Sequence, residues 1–254
     1  MSNFQLMPKG ILTTNLSRMK KILILMVAVS LSSCAQVQQV MNQLPQTQGV
    51  NGIDIAGGLK EALNNGITKQ VSKLTATDGF YRNEAVKILL PEELRKVDSR
   101  LRKIGLGSLA DEGLKVLNRA AEDAVKEATP IFVDAVRNMS FMDAKTILMG
   151  SQNSATNYLQ NSTSTALYGK FNPVIKDSFS KVGADKVWAN IIAKYNSIPL
   201  VNKVNPDLTD YVTNQAMNGV FKMVAVEEKN IRTDLKSRTS TLLQKVFAMQ
   251  DRKF

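Results

Sequence analysis

Five charged residues between positions 119 and 137 are the first candidates for chemistry, because they fall along one flank of a predicted helix. They are Arg119, Asp123, Glu127, Asp134 and Arg137. Asp123 and Glu127 lie one helical turn apart, with about 5 to 6 Å between their Cβ atoms. Two carboxylates so placed can carry out acid–base chemistry, as in glycoside hydrolysis, when their surroundings separate their pKa values. The alternative is a solvated stripe of ion pairs, which alternating charges on a helix flank usually form.

The turn between Asp78 and Asn83 is a second candidate, in this case for binding. Asp78-Gly79 is a turn signal, and two adjacent aromatic residues, Phe80 and Tyr81, follow it. Aromatic rings beside a carboxylate and an amide could form the wall of a pocket for a sugar or a peptide. The alternative is structural: the turn ends one helix, Asn83 caps the next, and an aromatic ring packs into the core.

The histidine and cysteine counts exclude several classes of active site. The chain has no histidine and a single cysteine, Cys34. A Ser-His-Asp triad, a Cys-His nucleophile and a zinc site of the Cys/His type are therefore impossible in this chain. We expect no metal and no cofactor, and an enzyme built on this sequence would have to use carboxylates, lysine, tyrosine or hydroxyl groups. These counts favour a non-enzymatic role.

Cys34 stands at the end of a segment that is typical of an export signal. Lys20 and Lys21 precede an uncharged apolar run over residues 22–31, which is the n-region and h-region pattern of a signal peptide. The run is too short to cross a bilayer, since a transmembrane helix needs about 20 apolar residues. Residues 31–34, Leu-Ser-Ser-Cys, resemble the lipobox of bacterial lipoproteins, in which the cysteine is acylated. The alternative is an ordinary free or buried cysteine.

This signal divides the chain into three parts. Residues 1–33 are the predicted lipoprotein signal peptide, in which residues 1–18 either extend the n-region or precede a true start at Met19. Residues 34–52 are the lipidated cysteine and a glutamine-rich tether, which as a flexible chain has an r.m.s. reach of about 20 to 25 Å. Residues 53–250 are predicted to form a single helical domain.

Removal of the predicted signal leaves a moderately basic protein. The full chain has 33 Lys+Arg and 22 Asp+Glu. Without Lys9, Arg18, Lys20 and Lys21 the count is 29 against 22, a net charge of +7. This charge suits anionic lipid head groups or an acidic partner, or it serves solubility. The sequence has no dense basic block with interleaved aromatic residues, so we expect no nucleic-acid partner.

Apolar residues recur at helical spacing through almost all of residues 53–250. The clearest face consists of Ile53, Ala56, Leu59, Leu63, Ile67, Val71 and Leu74. No stretch alternates with the two-residue period of a strand. The sequence therefore predicts an all-α fold, an irregular multi-helix bundle of about eight helices with no sheet.

Some helix boundaries follow from local signals. We expect a short helix over residues 84–90, and a long helix over residues 108–139 that bends at Pro130. A new helix should begin at residues 172–173, and the last helix should cover residues 235–249. Helix ends are marked by Gly105, by Gly183, and by Ser140 with Asp143.

Five segments carry a resemblance to a known family. They are residues 58–67 (GLKEALNNGI), 78–83 (DGFYRN), 88–92 (ILLPE), 117–122 (LNRAAE) and 130–132 (PIF). These segments resemble an uncharacterised bacterial envelope family, catalogued as domain of unknown function 4197, over about residues 53–249. The family has no assigned activity and no catalytic residues, so the resemblance implies only a secreted or lipid-anchored helical protein.

The sequence thus predicts a lipid-anchored protein of a bacterial cell envelope, with the membrane as one partner through acylated Cys34. Its expected role is a non-catalytic binding or interaction module near the membrane, with an envelope protein as partner. Two alternatives stay open: a carboxylate-dependent hydrolase of an envelope glycan, and a carrier of lipid or another apolar ligand. Ala35 after the cysteine, rather than aspartate, favours the outer membrane by the sorting rule of some Gram-negative bacteria. The sequence indicates neither the membrane face nor the oligomeric state.

Overall fold

The computed structural model describes residues 52–251 except 104, 106, 198, 201, 202, 204 and 206. In these residues the chain forms nine α-helices, one short 3₁₀-helix and no β-strand, which confirms the all-α prediction. The predicted signal peptide, Cys34 and the tether up to residue 51 lie outside the described residues. The helices are α1 (Gly52–Thr75), α2 (Glu92–Lys103), α3 (Gly107–Val125), α4 (Ala128–Asn138), α5 (Phe141–Leu148), α6 (Ser154–Lys181), α7 (Ala184–Asn196), α8 (Thr209–Thr233) and α9 (Thr241–Asp251).

The first helix, α1, lies against α3, α4, α5, α8 and α9. Its buried face contains Leu59, Leu63, Ile67, Val71 and Leu74. Gly58 allows α9 to approach closely, because a Cβ at this position would collide with the side chain of Val246. Neither α1 nor any other helix in the described part of the chain has the length and apolar character needed to cross a bilayer.

The longest described helices, α6 with 28 residues and α8 with 25, pack against each other. The prediction of a new helix at residues 172–173 is wrong, since α6 continues through Pro173. A proline inside a helix removes one hydrogen bond and its ring faces the carbonyl four residues earlier, here that of Gly169. Phe171 and Ile175, on either side of the proline, are fully buried. Burial of these side chains offsets the local penalty.

The long helix predicted over residues 108–139 is divided into α3 and α4, so the prediction of one bent helix is wrong. The chain leaves the α-helical path at Lys126 and Glu127, whose N–H groups donate to carbonyls three residues earlier. In a continuous helix the ring of Pro130 would face the carbonyl of Lys126. The break therefore comes one turn before the proline.

The last predicted helix also begins later than expected. The chain forms a 3₁₀-helix at Leu235–Ser237, and α9 begins only at Thr241. Asp234 ends α8 with an extended backbone, and its carboxylate accepts a hydrogen bond from the N–H of Lys236 at 2.9 Å. This local bond competes with a continuing helix.

Three predicted helix ends are confirmed. Gly105 and Gly183 have φ angles of +82° and +66°, in the left-handed region that ends helices. Ser140 and Asp143 form a reciprocal capping box at the start of α5. Local signals thus locate helix ends wherever the capping group belongs to the same segment.

A buried ion pair on α8 caps α6 from a distance. Glu228 and Arg232 are 7% and 5% exposed, with Arg232 Nη2 2.8 Å from Glu228 Oε1. The Glu228 carboxylate accepts hydrogen bonds from the N–H groups of Ala155, at 3.0 Å, and Thr156, at 2.9 Å, in the first turn of α6. Asn153, at the N-cap position, makes no capping bond with its side chain. Helix α8 therefore supplies the cap that α6 lacks locally.

Arg232 holds the end of α5 in a similar way. Its guanidinium donates to the carbonyl oxygens of Ile147, at 2.8 Å, and Leu148, at 3.2 Å, the last two residues of α5. The carboxylate of the pair thus lies at the positive end of one helix and the guanidinium at the negative end of another, which is favourable for both helix dipoles. These additional hydrogen bonds compensate the cost of burying the two charges.

Arg238 closes the C-terminus of α8. The buried guanidinium donates to the carbonyl oxygens of Ile231 and Arg232, both at 3.0 Å. It also forms two hydrogen bonds with the carboxylate of Asp251 on α9, at 2.6 and 2.9 Å. These bonds from Arg238 hold the pKa of Asp251 below its ordinary value.

Glu227 connects α8 to α1. Its carboxylate accepts hydrogen bonds from Lys69 Nζ at 2.6 Å and from Gln70 Nε2 at 2.7 Å. We refer to Glu227, Glu228, Arg232 and Arg238 as the buried cluster. Through its members, α8 is joined by hydrogen bonds to α1, α5, α6 and α9, so the cluster fixes the arrangement of the bundle.

Candidate functional site

The turn that follows α1 is held in place by α3. Asp78 has a left-handed backbone, with φ of +64°. Gly79 has no room for a side chain, since a Cβ there would collide with the carbonyl oxygens of Lys73 and Leu74. Arg119 Nη2 on α3 donates to Asp78 Oδ1 at 2.8 Å. The Asp-Gly pair therefore forms a tight turn whose position Arg119 fixes.

The two aromatic residues of this turn have different surroundings. Phe80 is fully buried, and its N–H donates to the carboxylate of Glu122 at 3.1 Å. The Phe80 ring packs against Gly219 of α8, where a Cβ would collide with it. Tyr81 is half-buried, and Lys87 Nζ lies 4.8 Å from the centre of its ring. Phe80 belongs to the core, so its ring is not accessible to a ligand.

The prediction of a helix over residues 84–90 is wrong, and the side chains of Asn83 and Asn118 explain why no helix forms there. Asn83 Oδ1 accepts a hydrogen bond from the N–H of Ala85 at 3.2 Å, a local turn that competes with a helix. Further along, Asn118 Oδ1 on α3 accepts the N–H of Ile88 at 2.8 Å, and Asn118 Nδ2 donates to the carbonyl of Ile88 at 2.9 Å. The buried amide thus serves both backbone groups of Ile88 in a stretch without regular structure.

Three of the five segments that carry the family resemblance meet at this place. Residues 78–83 form the turn, residues 88–92 form the irregular stretch and begin α2, and residues 117–122 present Asn118, Arg119 and Glu122 from α3. Because these bonds join the three segments to one another, the architecture accounts for their residue types. The geometry favours the structural interpretation of the turn over a binding pocket.

The predicted carboxylate pair is divided in the structure. Asp123 lies near the end of α3 and Glu127 in the break before α4, and both side chains are exposed. Asp123 Oδ1 pairs with Lys126 Nζ at 2.8 Å. Glu127 instead lines a groove together with Asp134, a third carboxylate of the predicted flank.

This groove has a volume of about 630 Å³ and runs between α4 and α6. Its apolar lining residues are Pro130, Ile131, Ala135, Tyr158 and Ala166. Its polar lining residues are Glu127, Asp134, Asn138, Ser162, Thr163 and Lys170. We call it the α4–α6 groove. Its size is in the range of sites that bind small molecules or short peptide segments.

The charged groups of the α4–α6 groove are mostly uncommitted. In the described part of the chain no hydrogen bond or ion pair joins the side chain of Glu127 or of Lys170 to another residue, and both side chains are exposed. Asp134 Oδ2 accepts a hydrogen bond from Asn138 Nδ2 at 3.3 Å. Glu127 and Lys170 can therefore contact a ligand without first breaking an internal bond.

Ser162 and Tyr158 supply hydroxyl groups that can form hydrogen bonds with a ligand in the groove. Ser162 is exposed, and its Oγ donates to the carbonyl oxygen of Tyr158 at 2.8 Å, which leaves its lone pairs as acceptors. Thr163 Oγ1 donates to the carbonyl oxygen of Leu159 at 2.6 Å and is buried. Burial and the nearby carboxylate of Asp143 raise the pKa of Tyr158. The phenol of Tyr158 therefore stays protonated at physiological pH and can donate a hydrogen bond.

Two further cavities bear on function. A cavity of about 20 Å³ lies inside the bundle, lined in part by Leu59, Leu63 and Val224, and it has room for little more than one water molecule. A second open groove, of about 310 Å³, lies between α6, α7 and the start of α8, with Lys176 and Trp188 in its lining. The interior cavity is too small for a lipid chain.

The sequence reveals some of the important residues better than others. The burial of Glu228 can be predicted, because it lies on the apolar face of α8, four residues after Val224 and three before Ile231, both buried. A carboxylate on such a face indicates a buried partner. Ser162 and Lys170 have no such signal, because they fall in a polar stretch whose packing face only the neighbouring helix defines.

The fold and the groove together define the described part of the chain as an all-α multi-helix domain with an open, ligand-sized groove on its surface. Residues 49–248 match the model of the family described as protein of unknown function (DUF4197). The chain therefore belongs to that family, as its segments had indicated. No curated protein and no solved structure matches the chain.

Proposed function

We propose that this protein is a lipid-anchored, non-catalytic binding module of the bacterial cell envelope, and that it binds its partner in the α4–α6 groove. The single observation that carries the proposal is the groove itself. It is open and of ligand size, and its two exposed charges, Glu127 and Lys170, have no partner among the described residues. The proposed location rests on the export and lipobox pattern of residues 19–34.

The lining indicates the chemistry of the ligand. Ile131, Ala135 and Ala166 offer apolar contact, and the groove offers charges of both signs from Lys170 and from two carboxylates, Glu127 and Asp134. A peptide segment with apolar residues on one side and charged residues of both signs on the other complements such a surface. We therefore favour a segment of another envelope protein as the ligand over a lipid or a uniformly polar glycan.

A photo-crosslinking experiment in intact cells tests this proposal. A photoreactive amino acid replaces Ser162, which lines the groove, or Gln160, which is exposed on the same helix but does not line it. We expect a protein to be captured from position 162 and not from position 160. Lys170→Glu should weaken this capture, and Cys34→Ser should remove it by releasing the protein from the membrane.

Two results would contradict the proposal. Equal capture from positions 160 and 162 would mean that the groove does not select its neighbour. Glycan fragments or lipid, recovered from position 162 without protein, would replace the peptide ligand with another class.

A carboxylate-dependent hydrolase is the second candidate, because Glu127 and Asp134 line the same groove. Acid–base catalysis would need one carboxyl group to act as acid and the other as base or nucleophile. The test is release of soluble fragments from purified envelope glycan by the anchored protein, compared with Glu127→Gln and Asp134→Asn. Equal release by all three proteins, or none by any, would exclude this pair as the catalytic groups.

A further inference from the structure

Two large apolar side chains stand exposed side by side at the start of α5. Phe141 is 42% exposed and Met142 is 64% exposed. Single exposed apolar residues are normal on protein surfaces, but these two are adjacent. Later residues of the same short helix, Ala144, Ile147 and Leu148, are buried. Helix α5 therefore buries its C-terminal part and presents an apolar N-terminus to the surroundings.

This exposed end is held firmly. Ser140 Oγ accepts the N–H of Asp143 at 3.1 Å, and the Asp143 carboxylate accepts the N–H of Ser140 at 3.0 Å. At the other end of α5, Arg232 binds the last two carbonyl groups. Phe141 and Met142 are thus displayed from a helix that is fixed at both ends.

The start of α5 lies beside the helix through which the chain enters the domain. Lys60 Nζ on α1 donates to the carbonyl oxygen of Arg137, near the end of α4, at 2.8 Å. Lys60 comes eight residues after Gly52, the first residue of α1, which is about 12 Å along a helix. Phe141 follows Arg137 by only four residues. The segment that leads into Phe141 and Met142 therefore lies against the first half of α1, the half that the tether joins.

The length of the preceding chain places a bilayer within reach of this surface. Residues 35–51 separate Cys34 from α1, and a flexible chain of that length has an r.m.s. reach of about 20 to 25 Å. A domain on so short a tether stays next to the bilayer that holds its anchor. With Cys34 anchored as proposed, a segment of this length keeps the start of α1 near the bilayer, and surfaces beside that start are the ones within easiest reach of the lipid.

The charges around the pair suit an anionic membrane. Arg137 and Lys145 each lie four residues from Phe141 and are exposed, and Lys60 adds a positive charge at the carbonyl of Arg137. The nearest acidic residue along the chain, Asp143, is bonded to Ser140 as described. Apolar side chains flanked by cations are the usual composition of surfaces that bind at the lipid interface.

We propose that the start of α5 docks on the head-group region of an anionic bilayer, with Phe141 and Met142 inserted and Lys60, Arg137 and Lys145 against the lipid phosphates. This inference rests on the proposed anchor at Cys34. Because Asn138 and Tyr158 of the α4–α6 groove lie next to α5, docking would hold that groove at the membrane surface, facing partners embedded in the same bilayer.

Tryptophan fluorescence tests the docking. The chain has one tryptophan, Trp188, which is buried and serves as an internal reference. The acylated protein is reconstituted in vesicles of phosphatidylethanolamine and phosphatidylglycerol with brominated acyl chains, which quench nearby tryptophans. The test variant is Phe141→Trp. The control is Val182→Trp, which is 62% exposed beyond the opposite end of α6.

We expect loss of emission and a blue shift for Phe141→Trp, and neither for Val182→Trp or the unmodified protein. Lys145→Glu in the Phe141→Trp background, or replacement of phosphatidylglycerol by phosphatidylcholine, should restore emission. Equal emission from both tryptophan variants, while the protein floats with the vesicles, would overturn the docking alone. A protein that does not float has no anchor, so that result would overturn the anchor and the docking with it. Circular dichroism of each variant shows that it is folded.

Discussion

The buried cluster and the α4–α6 groove use the same kinds of side chain in opposite ways. In the buried cluster, Glu228, Arg232 and Arg238 each bind a helix end as well as an opposite charge. In the groove, the side chains of Glu127 and Lys170 are exposed and bind no other described residue. Charge alone therefore does not locate function in this fold. The number of internal partners distinguishes charges that build the bundle from charges that are available to a ligand.

The largest expected effect comes from breaking the buried ion pair. Glu228→Gln keeps the volume of the side chain but removes the charge, which leaves Arg232 buried without its counterion and weakens the cap of α6. Loss of one partner of a buried pair costs about 3 kcal/mol or more. Urea denaturation followed by circular dichroism measures the free energy of unfolding.

Glu127→Gln is the matched control, because it makes the same chemical change in the groove. We expect its free energy of unfolding to stay within about 0.5 kcal/mol of the unmodified protein. Equal destabilisation by the two substitutions would show that partner number does not separate the two regions.

A smaller loss should follow from Arg238→Met, which retains apolar contact but removes the donors to α8 and α9. Hydrogen bonds from a charged group to the buried carbonyls of Ile231 and Arg232 are worth about 2 kcal/mol together. Chemical denaturation at neutral pH measures this loss.

The same variant has a specific dependence on pH. Arg238 lowers the pKa of Asp251 in the folded protein, so Asp251 contributes stability above its ordinary pKa of about 4, and this contribution is lost as the pH falls through the lowered value. The difference in the free energy of unfolding between Arg238→Met and the unmodified protein should therefore become smaller in acid. An NMR titration should show the pKa of Asp251 rising towards its ordinary value in the variant. An unchanged pKa would mean that another group holds this carboxylate.

The smallest effect on stability is expected for Lys170→Glu. The side chain is exposed and has no partner among the described residues. The midpoint temperature of thermal unfolding should therefore change very little, and the free energy of unfolding by less than about 0.5 kcal/mol. A clear loss of stability would show that Lys170 belongs to the scaffold, and the groove would then lose one of its available charges.

The location of the partners also explains which helices the sequence could predict, since a boundary is predictable when the residues that set it lie in the same segment. The helix α1, the capping box of α5 and the glycines after α2 and α6 are specified by residues within their own segments, and these predictions are confirmed. The continuation of α6 through Pro173 depends instead on burial against α8. The absence of a helix over residues 84–90 depends on Asn118, from another helix.

The candidate sites were predictable to a similar extent. The charged flank of the long predicted helix contains Glu127 and Asp134, which do line the groove, but the local spacing selected Asp123 as the partner of Glu127. The helix break at residues 126–127 separates those two residues. Ser162 and Lys170 enter the site only through the packing of α6 on α4, which no local pattern of α6 reveals. The roles of Asp123, Glu127 and the turn residues in binding or catalysis remain predictions.

The capping of α6 by Glu228 has a consequence for the order in which the protein folds. The bond from Ala155 to Glu228 spans 73 residues, and that from Arg232 to Ile147 spans 85. A chain synthesised from its N-terminus therefore has unsatisfied ends on α5 and α6 until α8 has been made. Contacts between such distant residues slow folding and favour one late, cooperative step. Most of the chain is thus synthesised before the native bundle can close.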